Sequence, residues 1–227
     1  MPTILFQDSI LLVVHKPAGM PAQADKTGDD SLLQWAETTC GHALHLVHRL
    51  DRPASGIVLL AKTKDTMTLL QQQFQNRSIE KEYLAVVEAL PPQPEGTLVH
   101  FVQKNAKKNR AFVSVEERRG AERAELAYRL LGSSERYHLL LVRLITGRHH
   151  QIRAQLSGIG CPIKGDVKYG ARRGNRDRSI HLHAWRIGFE HPGSGEWMSL
   201  EAPQPGGDPV WDALGSFQGV DFPAVGD

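Results

Sequence analysis

The chain has 227 residues, 41% of them hydrophobic and 23% charged, with a formal net charge of +2. That composition suits a soluble globular protein with a sizeable core and excludes collagen-like, low-complexity and disulfide-dense classes. Cys40 and Cys161 form no CxxC pattern, and no basic-then-apolar leader or run of about 18 apolar residues is present, so a reducing, cytoplasmic setting is expected.

Residues Thr3–Phe6 and Ile10–Lys16 read as two strands joined at Gln7-Asp8-Ser9, and Pro17, Gly19 and Pro21 end the second. Ser31 with Gln34 makes a capping box before a short helix reaching about Cys40. Ile57–Ala61 reads as a buried strand, and Thr63 caps a helix carrying Met67, Leu70 and Phe74 at helical spacing. Lys81–Glu88 alternates as a strand. Pro91-Pro92-Gln93-Pro94 is a break, a candidate division near 91–96 between two lobes of one domain. Leu98–Val102, Ala111–Val115, Ala124–Leu131 and Tyr137–Ile145 read as a meander of strands. Thr146-Gly147 opens a turn into a helix bearing Ile152 and Leu156 and ended by Gly158. A loop over Gly165–Gly174, a hairpin of His181–Glu190 with Trp197–Leu200, and an irregular tail over 204–227 complete the chain. Many strands with few helices, and no βαβ alternation, predict an α+β fold: a central, largely antiparallel mixed sheet flanked by short helices and loops.

Positive charge is clustered. Lys104, Lys107, Lys108 and Arg110 crowd one stretch, Arg172, Arg173, Arg176 and Arg178 another, and Arg148 and Arg153 flank a histidine pair. Together the clusters suggest a polyanionic partner; any one of them also fits a solvated face.

The richest stretch is His48-Arg49-Leu50-Asp51-Arg52-Pro53-Ala54-Ser55-Gly56. Asp51 stands on a Pro/Gly-shaped loop just before a buried strand, a common place for chemistry, although Asp, Pro, Ser and Gly also make ordinary turns. His45-x-x-His48, His149-His150 and His181-x-His183 lack the helical pairing of an HExxH zinc site, and adjacent histidines on a strand face apart, so no metal is expected. No phosphate-binding GxxxxGK[ST], no GxGxxG after a strand and no GxSxG occur. Thr146 to Arg153 places cations, an amide and imidazoles at a helix start, suited to anions or to a solvated helix end. Arg148 and Arg153 are expected on different faces of that helix. Tyr83, in a strand, fits a core residue or a ring that stacks on a base.

These stretches resemble a known set. His48-Arg49-Leu50-Asp51 with Ser55-Gly56, Lys81-Glu82-Tyr83-Leu84-Ala85-Val86, Thr146-Gly147-Arg148-His149-His150-Gln151-Ile152-Arg153, and Ile163-Lys164-Gly165-Asp166 with Tyr169-Gly170 are similar, in order and spacing, to the motifs of the RluA-type pseudouridine synthases. The resemblance runs from about residue 9 to about residue 203. The chain departs from the family pattern at Ala54, where threonine is usual, and at Ala154-Gln155, where a histidine commonly follows. The S4 RNA-binding domain of many members is not expected, leaving residues 1–227 as one catalytic domain.

The resemblance implies a pseudouridine-synthase-like fold with the active-site cleft across the sheet. It implies isomerisation of uridine to pseudouridine in structured RNA (rRNA or tRNA), without cofactor or metal, by a monomer with no obligate protein partner. Asp51 would be the essential carboxylate, acting on C1′ as nucleophile or on the C2′ proton. Arg153 would be its partner and Tyr83 would stack on the turning uracil. The target base must leave its stack, which costs a few kcal/mol. Arg49, His48, Arg52, Arg148, His150, Lys104, Lys107, Lys108, Arg172 and Arg173 are the expected RNA contacts. A catalytically idle RNA-binding protein and a glycoside or nucleoside hydrolase are the competing classes.

Overall fold

A computed structural model of the chain describes residues 1–214 and residue 222. In chain order the elements are β1 (Thr3–Gln7), β2 (Leu11–Lys16), α1 (Leu32–Cys40), β3 (His45–Leu46), β4 (Ser55–Ala61), α2 (Lys64–Asn76), β5 (Glu80–Val87), β6 (Glu95–Asn105), β7 (Arg110–Ser114), β8 (Glu122–Ser133), β9 (His138–Leu144), α3 (Gln151–Gly158), a short 3-10 turn (Val167–Tyr169), β10 (Leu182–Glu190), β11 (Trp197–Glu201) and α4 (Pro209–Ala213).

Among the described residues the strands form one sheet in the order β1-β2-β4-β10-β5-β9-β8-β6-β7, with β11 added to β10 and β3 to β4. The pairings are antiparallel except β4 with β10, so the expected α+β fold with a largely antiparallel mixed sheet is borne out. β5 and β6 lie in the same sheet on either side of the proline-rich break. The expected meander is not what forms: β6 pairs with β7 on one side and β8 on the other, and β7 and β8 do not pair. β6 is long, at 11 residues, and gives Glu95–Val102 to β8 on one edge and Phe101–Asn105 to β7 on the other.

Strand periodicity sorts the side chains onto two faces. Leu12, Val14, Val58, Leu60, Ala85, Val87, Leu140 and Val142 build one core with Leu32 and Ala36 of α1 and Ile152 and Leu156 of α3. Leu11, Val13, Ile57 and Leu59 face the other side under Leu70 of α2, and Leu84, Val86, Leu139 and Leu141 pack there against Trp185 and Trp211. Both expected caps are present. Ser31 Oγ accepts from Gln34 N while Gln34 Oε1 accepts from Ser31 N at 3.0 Å, and Thr63 Oγ1 accepts from Thr66 N at 3.1 Å.

Two stretches read as irregular hold short helices. Within Gly165–Gly174 the 3-10 turn buries Tyr169. In the tail, Asp208 caps α4 and Pro209 starts it, because Trp211 and Leu214 find buried places beside Trp185. The rest of the tail, 215–221 and 223–227, lies outside the described residues.

The parallel contact between β4 and β10 depends on Gly56. Its φ is +122°, and a Cβ there would lie 2.2 Å from the Ala184 carbonyl oxygen. Only glycine tolerates both the angle and the approach.

Candidate active site

The loop before β4 is tied down from three directions. Ala54 N donates to Asp51 O at 3.1 Å, closing a turn; Gly19 N donates to Arg52 O at 2.8 Å; and Ile180 N donates to Pro53 O at 3.0 Å. Beneath it lies Lys16, fully buried at the end of β2. Its ammonium donates to the carbonyls of Pro17 (3.0 Å), Met20 (2.8 Å), Arg52 (3.3 Å) and Ala54 (2.7 Å). Burial pushes Lys16 down to about 7, and the nearby Asp51 charge pulls it upward. The carbonyl of Ala54, one of the departures from the family pattern, is among the four it holds.

Asp51 Oδ2 accepts from Arg153 Nη1 at 2.9 Å. The remaining fork of Arg153 is bidentate to Asp166, with Nε to Oδ2 at 2.6 Å and Nη2 to Oδ1 at 2.9 Å. Both Arg153 and Asp166 are buried. Burial works against the Arg153 charge, but Asp166 and Asp51 together hold its pKa above the ordinary arginine value. Planar guanidinium geometry suits this task, since one side locks the orientation and the other presents a single donor.

Tyr83, on β5, turns its ring into the same pocket. Burial, with the Asp51 charge, raises its pKa, so the phenol stays protonated. Its hydroxyl has no hydrogen-bond partner among the described residues. The pocket has a volume of about 110 Å³, well above the ~10–15 Å³ that one water needs. Arg49, Asp51, Tyr83, Arg148, His150 and Arg153 all line it. Six of the expected site residues, drawn from three distant stretches, are thereby brought together.

The turn before α3 explains its own sequence. Gln151 Oε1 accepts from Thr146 Oγ1 (2.8 Å) and Arg148 N (2.9 Å), and Gln151 Nε2 donates to Glu125 O (3.0 Å). His150 occupies the N-cap position with φ +53°, a left-handed angle uncommon for residues other than glycine, and its side chain makes no capping hydrogen bond. Arg148 precedes the helix rather than sharing it with Arg153, and it pairs with Glu122 (2.7 Å) and the Arg123 carbonyl (3.2 Å). Histidines 149 and 150, expected to point apart, stack with centroids 3.8 Å apart, because they sit in this turn and not on a strand. Burial takes His150 down to about 3 against the pull of Asp51, so it is neutral. Gln155, the other departure from the family pattern, is buried and donates to Leu98 O (3.0 Å) and Ala124 O (3.3 Å), holding α3 to the sheet.

Other expected contacts lie elsewhere. His48, half-buried, accepts from Leu59 N at 3.1 Å, packs on Phe74 and is lowered to about 3 by burial, so its ring holds the fold beside the Asp51 loop. Arg52 is likewise engaged: it pairs with Asp25 and Asp29 and donates to Gly19 O at 2.9 Å, clamping the preceding loop. Lys104, Lys107 and Lys108 are exposed at the β6–β7 turn, with Lys104 close enough to act on His149. Arg172 and Arg173 line a separate cleft of about 540 Å³ with Arg136, Lys164 and Asn175. No cluster of three or more potential metal ligands occurs among the described residues.

Sequence reasoning gave no role to four residues. Asp166, Tyr169 and Lys81 stood in quoted motifs without one, and Lys16 read as a strand end. Lys81 is a half-buried ammonium 5.3 Å from the Phe74 ring centroid and beside Gly147, its pKa lowered by burial.

Residues 10–158 match the family model described as RNA pseudouridylate synthase. The chain belongs to this family. A Bacillus subtilis protein described as uncharacterized RNA pseudouridine synthase YlyB is 34% identical over 211 residues, covering 89% of this chain and 69% of that protein. A tRNA pseudouridine synthase C from Pectobacterium carotovorum is 31% identical, covering 99% of this chain and 66% of that one. The chain thus spans about two thirds of the length of these curated relatives. Among solved structures, human RNA pseudouridylate synthase domain containing 4 superposes with a TM-score of 0.75 at 29% identity, covering 89% of this chain and 88% of that one. The resemblance read from the four motifs is borne out.

Proposed function

We propose that this chain isomerises uridine to pseudouridine in structured RNA of the ribosomal or transfer class, with Asp51 as the essential carboxylate. One observation carries the reading: a buried arginine, locked by Asp166, delivers its last donor to Asp51 in a pocket that also holds Tyr83. In this reading Asp51 acts on the ribose, Arg153 fixes and electrostatically supports its carboxylate, and Tyr83 stacks on the uracil. With its phenol held protonated, Tyr83 positions the base and does not take a proton from it.

A pocket of about 110 Å³ is far too small for a duplex, which agrees with a flipped base taken from loops and bulges, where flipping costs least. Arg49 is exposed at the mouth and has no partner among the described residues, so it is suited to the RNA backbone or to the gap the base leaves. Arg148, Lys104, Lys107 and Lys108 add phosphate contacts, and Arg172 and Arg173 add them at the separate cleft. The chain acts as one catalytic unit, as a monomer in the cytoplasm; no helix among the described residues is long and apolar enough to cross a membrane.

Mapping pseudouridine in cellular RNA with and without the gene, then restoring wild type or Asp51→Asn, tests the reading. Wild type should restore the missing site and Asp51→Asn should not, while RNA binding persists. Undiminished conversion by Asp51→Asn would sink it, and release of free uracil would favour a hydrolase.

A further inference from the structure

The strongest unassigned group is His150. It was expected on the RNA surface, yet it is buried beside the reacting carboxylate, in a left-handed backbone conformation that a histidine pays to adopt. Its Nδ1 lies 2.9 Å from Tyr169 Oη, and its Nε2 lies 3.7 Å from Asp51 Oδ1.

The hydrogen-bond pattern sets the tautomer. Tyr169 Oη accepts from Ala111 N at 2.7 Å. His150 Nδ1 is the one acceptor for the Tyr169 proton that the described residues offer. With Nδ1 accepting, the ring proton of neutral His150 sits on Nε2, facing the pocket and the Asp51 oxygen that Arg153 leaves free. At 3.7 Å that N–H makes no hydrogen bond to Asp51. A donor is thus held ready at the pocket wall, with Tyr169 donating into the opposite side of the ring and strengthening it.

We propose that His150 is a catalytic hydrogen-bond donor to the uracil as it leaves the ribose. This rests on the isomerase reading above. When the N1–C1′ bond breaks, its electron pair stays with the base and spreads onto the uracil carbonyl oxygens, whether Asp51 attacks C1′ or takes the C2′ proton. His150 Nε2–H meets that charge without giving up its proton. C5 then bonds to C1′, the C5 proton leaves, and N1 gains one, so the isomerisation balances with no co-reactant. A neutral imidazole suits the role: depressed to about 3, it neither charges at working pH nor competes with Arg153 for Asp51. Neutral imidazoles polarise substrate carbonyls in this way elsewhere.

The test uses a transcript carrying the mapped target, made with uridine or with 4-thiouridine, whose base departs more readily. His150→Gly suits the left-handed backbone and removes the donor; His150→Asn tolerates the angle and keeps an N–H. The expected result is a single-turnover rate about 100-fold lower for His150→Gly with RNA affinity unchanged, and about tenfold recovery in His150→Asn. The loss should shrink on the 4-thiouridine transcript. A wild-type rate for His150→Gly, or an equal loss on both transcripts with no recovery by asparagine, overturns the role. If His150→Gly does not fold, Tyr169→Phe decides: a slowed rate supports the donor chain and an unchanged rate overturns it. Wild type inactive on every cellular RNA would instead remove the isomerase reading itself.

Discussion

The pocket at Asp51 and the cleft at Arg172 are both rich in cations, and they are built in opposite ways. In the pocket, Arg153 is buried and each of its donor groups meets a carboxylate. In the cleft, nearly five times larger, the side chains of Arg136, Arg172 and Arg173 are exposed and make no ion pair among the described residues. Buried, paired charge is rigid and fails as a unit when one partner goes. Exposed charge is mobile, salt-screened and additive. Chemistry calls for the first arrangement and grip on a phosphate backbone for the second.

The contrast can be broken at several strengths. The largest effect is expected from Asp166→Asn, which strips a buried arginine of its anchor without touching Asp51. We expect about 3–5 kcal/mol of lost stability in urea unfolding, together with a collapse of pseudouridine formation. A variant with wild-type turnover would show that Arg153 needs no anchor. Next comes Gly56→Ala, whose methyl group would collide with the Ala184 carbonyl. It should lower stability by about 1–3 kcal/mol and displace the Asp51 loop; a thermal midpoint equal to wild type would refute the close approach.

A third probe is pH. His48, His150 and His183 are each lowered to about 3 by burial, from an unfolded value of 6.5. Their stabilising contribution is present above about 6.5 and is lost as pH falls toward 3, because the unfolded chain takes up protons that the folded chain refuses. The urea midpoint should therefore decline steadily below pH 6.5, and a flat midpoint down to pH 4 would contradict it. The smallest effect belongs to the exposed cations. Arg172→Ala with Arg173→Ala should leave the saturated rate unchanged and reduce the salt slope of RNA binding by about one for each phosphate no longer neutralised. Lys107→Ala with Lys108→Ala should do the same at the β6–β7 turn. A changed saturated rate would place either cluster in the chemistry.

What was legible in the sequence follows the same divide. Asp51, Tyr83 and Arg153 could be named because they sit in stretches whose order resembles a family. Their convergence then needed a sheet that holds β4 and β5, with α3 packed on it. Asp166 stood in a quoted motif, but its role depends on a hydrogen bond 13 residues back across a loop, which spacing alone does not reveal. Lys16 carries a weak signal: a lysine closing an otherwise apolar strand reads as a side chain reaching water, and only the fold shows four carbonyls around it. The intramolecular partners of His48 and Arg52 were not legible, because a turn does not disclose which neighbours of Asp51 face away. Arg52 answers to Asp25 and Asp29, more than 20 residues upstream. The meander failed because the sequence of an antiparallel strand carries no mark of which edge each neighbour will choose.

The strand order has a consequence for how the site comes into being. β4, which follows Asp51, and β5, which carries Tyr83, are not neighbours; β10 lies between them. A chain emerging from the ribosome has made both early strands long before residues 182–190 appear. At about 5–20 residues per second, the roughly 100 residues separating β5 from β10 take some 5–20 s to synthesise. Over that interval the central seam of the sheet has no strand to fill it. Insertion of β10 is thus the step that brings the aspartate and the tyrosine to their final spacing, and the enzyme is inactive until almost the whole described chain has been made.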